Sequence, residues 1–356
     1  MIFCSTFLIF ICIQLIIRKR ETTIISTTLL MGILIAISGF RSHLSGPDTH
    51  VYFSDYNLFL NHVNHNNDFE FLFLEIEKLF ANFGLSATEF IFFIAICSVG
   101  GVSFFYCRFS PMPLLSLLYY MSRYFLSRDL NQIRQAVACA LVLWALILFA
   151  KKKYLWSYVI VISASGFHKV TLILIIILPI VSLINLNNKL LLVSAVMLAV
   201  MSYKIVGKII YIIFDHYLHE TTYTSYGDYV NGSGLLNPII FLELFIFIGC
   251  LIYRYYLDTV NNMFELFLKI YFIGILLLIS ANQYAVISAR IASLLTTTEP
   301  ILFIYAIRGY KQYFFVSKCS FFKNYLEDIE ILIEIAFTCA VFFLINISNN
   351  SISGYF

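Results

Sequence analysis

Apolar runs long enough to cross a lipid bilayer recur along almost the whole chain, and they constrain its fold more than any other feature. A helix rises about 1.5 Å per residue, so about 20 apolar residues span a hydrocarbon core roughly 30 Å thick. The composition agrees, because 61% of the 356 residues are hydrophobic and only 12% are charged, whereas a soluble domain carries about 25% charged residues. The sequence therefore predicts an all-α polytopic membrane protein, built as a single integral-membrane domain over residues 1–356.

The hydropathy pattern predicts about twelve membrane-spanning helices. They lie near residues 2–17, 24–40, 88–106, 112–126, 134–150, 154–167, 170–185, 189–206, 238–253, 264–281, 289–307 and 329–348. Two links between them are long, at about 41–87 and 207–237. In the first link, apolar residues recur at helical spacing from Phe69 to Phe83. This spacing predicts an amphipathic helix that lies in the membrane surface rather than crossing it.

Positive charge is concentrated in alternate links, and this bias predicts an orientation. One set of links holds Arg18, Lys19, Arg20, Arg108, Lys151, Lys152, Lys153, Lys189, Arg254, Arg308, Lys311, Lys318 and Lys323. The positive-inside rule places these links in the cytoplasm, so both termini, Asp48 and Gln283 are expected outside. The net charge of +3 is too small to indicate a nucleic-acid partner.

Arginines should be scarce on the predicted external side, yet several lie there. Arg123, Arg128 and Arg134 stand at the start of a long apolar run, and Arg290 lies in a later one. A charge at a helix centre costs about 2.5–3.5 kcal/mol on insertion scales, so such groups need a partner or a function. A guanidinium binds phosphate oxygens two at a time, which favours a lipid diphosphate as the ligand. The alternative is that these arginines anchor helix ends at lipid headgroups.

Two residues on the same side are candidate general bases. Asp48 follows a Gly-Pro turn just outside a helix, where a carboxylate could take a proton from a sugar hydroxyl. His168 ends one apolar run and begins the next, and an imidazole suits proton transfer or a hydrogen bond to phosphate. Electrostatics alone do not choose between them, since nearby arginines would act on both. The loop position favours Asp48 as the base and gives His168 a part in donor binding, while a helix-flanking turn and a structural histidine remain the alternatives.

Metal and disulfide chemistry are not expected. The chain has two His-x-x-His pairs, His62/His65 and His216/His219, but neither has a third ligand at fixed spacing, so solvated loop histidines are the favoured interpretation. The eight cysteines form no CxxC motif and fall mostly inside apolar runs, as packing residues do. Neither a dinucleotide-binding glycine motif nor a P-loop is present, so no cofactor is predicted.

A series of short motifs ties these residues together. Along the chain they are Gly46-Pro47-Asp48 with Tyr52 and Tyr56, then Glu70, the stretch NQIRQAVA at residues 131–138, Phe167-His168, and Ala289-Arg290-Ile291. In order and spacing this series resembles the EpsG-like branch of the Wzy-type polysaccharide polymerases over roughly residues 40–310. The resemblance adds Tyr52 and Gln135 to the substrate-binding arginines.

The resemblance implies a membrane glycosyltransferase at the outer face of the cytoplasmic membrane. Its reaction would join polyprenyl-diphosphate-linked repeat units into O-antigen or exopolysaccharide, with a lipid-linked donor and acceptor. A chain-length regulator and a flippase are the further partners that it implies. An O-antigen ligase is an alternative within the enzymes. The alternative from another class is a lipid-linked oligosaccharide flippase, although transporters tend to place polar sites near the bilayer midplane in repeat-related helices, and no repeat is apparent.

Overall fold

The protein is helical throughout the part of the chain that its computed structural model describes. That part comprises residues 2–16, 20–43, 45, 48–61, 69–212, 234–256, 262–315, 336 and 338–342. Every regular element in these ranges is a helix, and no strand occurs there. The predicted all-α class is therefore confirmed.

Fifteen α-helices lie within the described ranges. In chain order they are α1 (Ile2–Ile16), α2 (Arg20–Gly39), α3 (Thr49–Leu60), α4 (Phe71–Asn82), α5 (Ala87–Ala95), α6 (Gly101–Phe109), α7 (Pro113–Tyr120), α8 (Ile133–Ala150), α9 (Tyr154–Ser165), α10 (Leu174–Leu183), α11 (Lys189–Ile212), α12 (Pro238–Tyr253), α13 (Asn262–Ala281), α14 (Ala285–Leu295) and α15 (Glu299–Phe315). A π-helical turn, Ile96–Gly100, joins α5 to α6, and a second one, Met121–Phe125, extends α7.

Six helical stretches of the described chain are long and apolar enough to cross a membrane. They are Ala87–Phe109, Ile133–Ala150, Lys189–Ile212, Pro238–Tyr256, Met263–Ala281 and Val286–Tyr310. Shorter apolar helices account for the other predicted segments up to residue 307. The last predicted segment, 329–348, lies mostly outside the described residues. The chain is thus a multi-pass membrane protein, and the count of about twelve spans stays a prediction.

The predicted segment 289–307 is two helices rather than one. A 3₁₀ turn, Thr296–Thr298, separates α14 from α15. Pro300 is the second residue of α15, where it lacks the N–H that a continuous helix would need for bonding to the preceding turn. The Thr297 hydroxyl instead donates to the Ser293 carbonyl at 2.6 Å, which occupies one backbone acceptor near the break.

The long first link contains a helix, α3, that the sequence pattern does not predict. Helix α3 buries Tyr52, Asp55 and Tyr56 on one face, at the i, i+3, i+4 spacing of a helix. An acidic residue in the middle of that face interrupts the apolar stripe that would have indicated the helix. Tyr56 stacks on Phe90 of α5 with ring centroids 5.2 Å apart, so aromatic packing holds α3 in place.

Helix α4 matches the helix predicted in the same link. Phe73 is fully buried, and Ile76 and Phe80 pack against the same aromatic core, so most of the apolar stripe faces protein. Phe83, at the end of the stripe, is 73% exposed. The existence of the helix is confirmed, whereas its position in the membrane surface stays a prediction.

The chain divides into two compact units, each described here by itself. The first unit comprises residues 1–145, 155–169 and 314–356, and it contains helix pairs such as α2 with α5 and α2 with α7. The second unit comprises residues 146–154 and 170–313.

Helix α13 forms the centre of the second unit. It packs against α10, α11, α12 and α14. Phe272 of α13 stacks on Phe247 of α12 at 4.6 Å, and the Tyr271 hydroxyl donates to the fully buried Glu299 carboxylate at 3.0 Å. Gly274 allows the close approach of α14, because a Cβ there would lie 2.9 Å from the Thr296 methyl group.

Candidate functional site

Glu70 brings together two of the residues that the sequence singles out. One carboxylate oxygen, Oε2, is paired with Arg134 Nη1. The other, Oε1, lies 3.5 Å from His168 Nδ1 and accepts the backbone N–H of Lys169 at 3.2 Å. Glu70, Arg134 and His168 form the Glu70 cluster, which lies wholly within the first unit.

Three separate stretches of chain position the Glu70 cluster. Glu70 is the extended residue that precedes α4, Arg134 lies in the first turn of α8, and His168 follows the end of α9. The Gly166 carbonyl accepts the backbone N–H groups of both Leu72 and Phe73, at 3.0 and 3.1 Å. The start of α4 is therefore capped by main chain from the end of α9, which explains why Glu70 and His168 meet.

Gly166 must be glycine for this cap to form. A Cβ at Gly166 would lie 2.6 Å from the Leu72 Cβ, a distance that real Cβ atoms do not adopt. The close approach of the two segments thus depends on the missing side chain.

The charges in the cluster keep Glu70 ionised. Burial alone would raise the pKa of its carboxyl, but the hydrogen bond with His168 and the charge of Arg134 outweigh burial and lower that pKa. Glu70 therefore carries a negative charge at neutral pH and presents it to both partners. The carboxylate side chain is only 8% exposed, whereas that of Arg134 is 24% exposed. The arginine is thus the member of the pair that a ligand can reach.

Tyr52 borders the same cluster, and the charge of Asp48 acts on Tyr52. The Tyr52 phenol is buried and shares a hydrogen bond with Arg134. Burial raises the pKa of this phenol, the Arg134 charge opposes the rise, and the Asp48 carboxylate adds to it. Asp48 precedes α3 by one residue, a single turn before Tyr52. Tyr52 therefore contacts the Arg134 guanidinium directly, whereas Asp48 is connected to it only through its charge effect on Tyr52.

An aromatic ring supports the Arg134 guanidinium from another direction. The Phe69 ring centroid lies 4.3 Å from Arg134 Cζ, a cation–π contact. Phe69 in turn contacts Tyr52 and Phe73, with centroids 5.6 Å away in each case. The guanidinium is held by a carboxylate, a phenol and a ring, so its orientation is largely fixed before any ligand arrives.

The other arginines of the first unit are placed differently. Arg128 is 2% exposed and lies over the Tyr124 ring at 4.5 Å. Arg123 contacts the rings of Tyr124 and Phe342, at 5.1 and 5.0 Å. Gln135 is buried beside Arg134 in α8. Substrate binding by these three residues stays a prediction.

Arg128 belongs to a buried polar turn between α7 and α8. The neighbouring Asp129 accepts the Tyr120 hydroxyl through its side chain, and its carbonyl accepts Arg41 Nη1 at 2.8 Å and the Ser38 hydroxyl at 3.1 Å. Such a turn fixes the start of α8, and therefore the backbone that carries Arg134.

The remaining predicted site residues lie elsewhere. Arg290 belongs to α14 in the second unit, where its carbonyl accepts the Ser293 hydroxyl at 3.2 Å. Its convergence with Arg134 stays a prediction. The pairs His62/His65 and His216/His219 lie outside the described residues.

Sequence reasoning matches Glu70 to a motif but gives it no role. Glu70 lies 64 residues from Arg134 and 99 residues from Lys169, so no local pattern connects them. Two features of the sequence could have indicated a role: Glu70 comes directly before an amphipathic helix, and the arginines predicted on the external side need a negatively charged partner.

Comparisons with known proteins place the chain in a family. The EpsG family matches residues 24–355. A curated relative, the amylovoran biosynthesis protein AmsC of Erwinia amylovora, is 21% identical over 308 residues, which cover 81% of this chain and 80% of the relative. No solved structure matches the chain significantly. Since the match to the family spans nearly the whole sequence, this chain belongs to the EpsG family.

Proposed function

We propose that the protein is a membrane glycosyltransferase that joins polyprenyl-diphosphate-linked repeat units into an exopolysaccharide or O-antigen chain. Membership of the EpsG family and the amylovoran-biosynthesis relative support a role in polysaccharide biosynthesis. The observation that carries the specific reaction is the Glu70 cluster, which combines a ligand-accessible arginine with a carboxylate–histidine contact. The reaction would take place on the external face of the cytoplasmic membrane.

Arg134 would bind the diphosphate of the donor. Its guanidinium is positioned by Glu70, Tyr52 and Phe69, and the side chain is 24% exposed, so that a phosphate group could approach it. The positive charge would also stabilise the diphosphate as it leaves, when negative charge develops on the bridging oxygen.

The proton of the attacking hydroxyl needs an acceptor, and the geometry favours His168 over Asp48. A hydroxyl of the acceptor sugar attacks the anomeric carbon of the donor sugar, the bond from that carbon to the diphosphate oxygen breaks, and the polyprenyl diphosphate departs with the electron pair. The Glu70 carboxylate beside Nδ1 would hold the ring proton there, so that Nε2, which is buried in this structure, would receive the hydroxyl proton once the acceptor sugar has reached it. Asp48, whose carboxylate helps to raise the pKa of Tyr52, remains the second candidate.

The lipid-linked glycans of cells that lack this protein test the proposed function. Loss of a polymerase leaves single repeat units on the lipid carrier at the external face. Loss of a ligase leaves long lipid-linked chains, and loss of a flippase traps single units at the cytoplasmic face. Either of the last two results would contradict the proposal.

Complementation of the same cells tests the assigned residues. Arg134→Ala should fail to restore long chains, whereas Arg108→Ala should restore them, because Arg108 is an exposed residue near the end of α6 on the predicted cytoplasmic side. His168→Gln should reduce chain growth about 100-fold or more, the usual contribution of a general base. If His168→Gln polymerises normally and Asp48→Asn does not, the base is Asp48.

A further inference from the structure

The second unit has an open surface pocket with a volume of about 460 Å³. This volume falls within the range of roughly 300–1,000 Å³ that is typical of small-molecule sites. Its lining residues come from the last turns of α11 and from the turn between α13 and α14; they are Tyr203, Lys204, Lys208, Tyr211, Gln283 and Tyr284. We call it the lysine pocket.

A rigid turn forms one wall of the lysine pocket. Asn282 is 1% exposed; it donates to the Gly234 carbonyl and accepts the Asn237 amide at 3.3 Å and the Ser288 hydroxyl at 3.2 Å. These bonds fix the backbone next to Gln283 and Tyr284, which supply the wall. This side of the pocket is therefore backed by a hydrogen-bonded turn.

Gly207 brings the opposite wall close. It lies in α11 between the two lysines, and a Cβ at this position would collide with the Gln283 side chain. Gln283 consequently lies directly against the helix, where its amide faces the same space as the lysine side chains.

The lysine pocket is positively charged, and its lysines lie at an unusual position along the helix. Lys204 and Lys208 are exposed and lie one turn apart on the same face of α11. Helix α11 has 24 residues and so measures about 36 Å, more than a hydrocarbon core of roughly 30 Å. With Lys189 at its predicted cytoplasmic end, the two lysines lie towards the external end, where lysines are normally scarce.

We propose that the lysine pocket binds an anionic saccharide. The carboxylate or phosphate group of such a sugar pairs with Lys204 and Lys208. None of the six residues that line the pocket is acidic, so none of them competes with the ligand for the two lysines. The phenol rings of Tyr203, Tyr211 and Tyr284 offer apolar faces to the sugar ring and hydroxyls to its edge.

The mixture of side chains favours a sugar over a lipid headgroup. Two ammonium groups alone would suffice for a headgroup phosphate, whereas the tyrosines and the Gln283 amide match a ligand with many hydroxyls. The inference rests on the proposed function, because it assigns the pocket to an acidic sugar of the glycan that the enzyme extends.

Direct binding to the full-length protein tests the inference. The protein is placed in phosphatidylcholine nanodiscs, and trigalacturonate, neutral maltotriose and inorganic phosphate are titrated in by calorimetry. We expect trigalacturonate to bind at least tenfold more tightly than maltotriose or phosphate. The double variant Lys204→Gln/Lys208→Gln should lose at least tenfold in affinity for trigalacturonate. Lys189→Gln, at the other end of the same helix, should bind as the wild type does.

Three results would overturn the inference. They are equal affinities of the wild type and the double variant for trigalacturonate, equal binding of phosphate and trigalacturonate, and loss of saccharide binding once anionic phosphatidylglycerol is added to the nanodiscs. The last result would indicate a headgroup site. Thermal unfolding of each variant establishes that it is folded.

The same titration on Arg134→Ala separates the two proposals. This variant should be unable to polymerise and yet bind trigalacturonate as the wild type does. If cells that lack the protein make chains of normal length while the purified protein still binds trigalacturonate, the proposed function is wrong and the pocket assignment stands. If the protein proves to be a polymerase but its double lysine variant binds trigalacturonate normally, only the assignment of the pocket is wrong.

Discussion

Arg134 has contacts that a lysine could not reproduce. Its guanidinium meets the Glu70 carboxylate, the Tyr52 phenol and the Phe69 ring at the same time. Arg134→Lys keeps the charge but loses the planar fork and most of the stacking. We expect it to reduce polymerisation at least tenfold at normal protein abundance, as judged by the length distribution of lipid-linked glycans. A normal distribution would show that charge alone suffices there.

Glu70 should make the stability of the protein depend on acidity. Its folded-state pKa is lowered by His168 and Arg134 against the opposing effect of burial, so its contribution is complete above the unfolded pKa of about 4.3. This contribution is lost as the pH falls through the lower, folded-state pKa. Glu70→Gln should lower the free energy of unfolding by about 3 kcal/mol at pH 7, because the Arg134 side chain, about three-quarters buried, loses its carboxylate partner. Below a pH of about 4.3 the melting temperature of this variant should change less with pH than that of the wild type.

A matched control for Glu70 lies on the next helix. Glu75 of α4 pairs with Lys78 at 2.8 Å, but both side chains are nearly half exposed. Surface pairs of this kind contribute about 0–1 kcal/mol, so Glu75→Gln should hardly change the melting temperature at any pH. Equal effects of the two substitutions would contradict the structural role given to Glu70.

At the scale of the elements, α3 and α4 bury two acidic residues against each other. Glu77 of α4 is fully buried, and its pKa is raised to about 9, first by burial and then by the neighbouring Asp55 of α3. A raised folded-state pKa gives stability that is complete below the unfolded pKa of about 4.3. That stability is lost as the pH rises towards 9. The packing of α3 on α4 is therefore strongest in acid.

The amide at position 77 should remove this pH dependence. Glu77→Gln has no charge to bury, so we expect it to raise the melting temperature at pH 8 by about 2–4 °C for each kcal/mol recovered. At pH 5 the two proteins should differ less. Melting temperatures of the purified protein between pH 5 and pH 9 check this, and parallel curves for the two proteins would contradict it.

The contact between α11 and the turn before α14 can be tested at a glycine. Gly207→Ala would force the new methyl group into Gln283, at a cost of about 1–3 kcal/mol for overpacking. Gly32→Ala is the matched control, because Gly32 is also inside a helix and a Cβ there meets nothing within 4 Å. We expect a lower melting temperature for the first variant and an unchanged or slightly higher one for the second.

At the scale of the whole molecule, the orientation in the membrane is open to a direct test. The charge bias predicts Lys152 in the cytoplasm and His43 and Gln283 outside. Single cysteines at these positions, in a background without the native cysteines, are treated with an impermeant thiol reagent. The 43 and 283 sites should react in intact cells, and the 152 site only after lysis. Reaction at 152 in intact cells would invert the orientation and place the Glu70 cluster on the cytoplasmic side.

Some features of the fold and of the candidate site can be predicted from the sequence and others cannot, and the difference has physical reasons. Helices such as α8 and α13 are recognisable because bilayer thickness sets the length of their apolar runs. Helix α3 is not predicted from the sequence, because Asp55 interrupts the apolar pattern of its buried face. The sequence singles out Arg134 and His168 as candidate site residues, since charged and titratable groups at membrane helix ends are conspicuous. The role of Glu70 was missed, because it depends on contacts between segments far apart in the chain, which no local pattern encodes.

The capping of α4 by the Gly166 carbonyl also has a consequence for biosynthesis. The backbone N–H groups of Leu72 and Phe73 find their acceptor more than 90 residues later in the chain. At a translation rate of about 5–20 residues per second, the ribosome needs roughly 5–20 s to make that distance. During this interval α4 lacks its cap and Arg134 and His168 have not both been made. The Glu70 cluster can therefore assemble only after α8 and α9 have been synthesised.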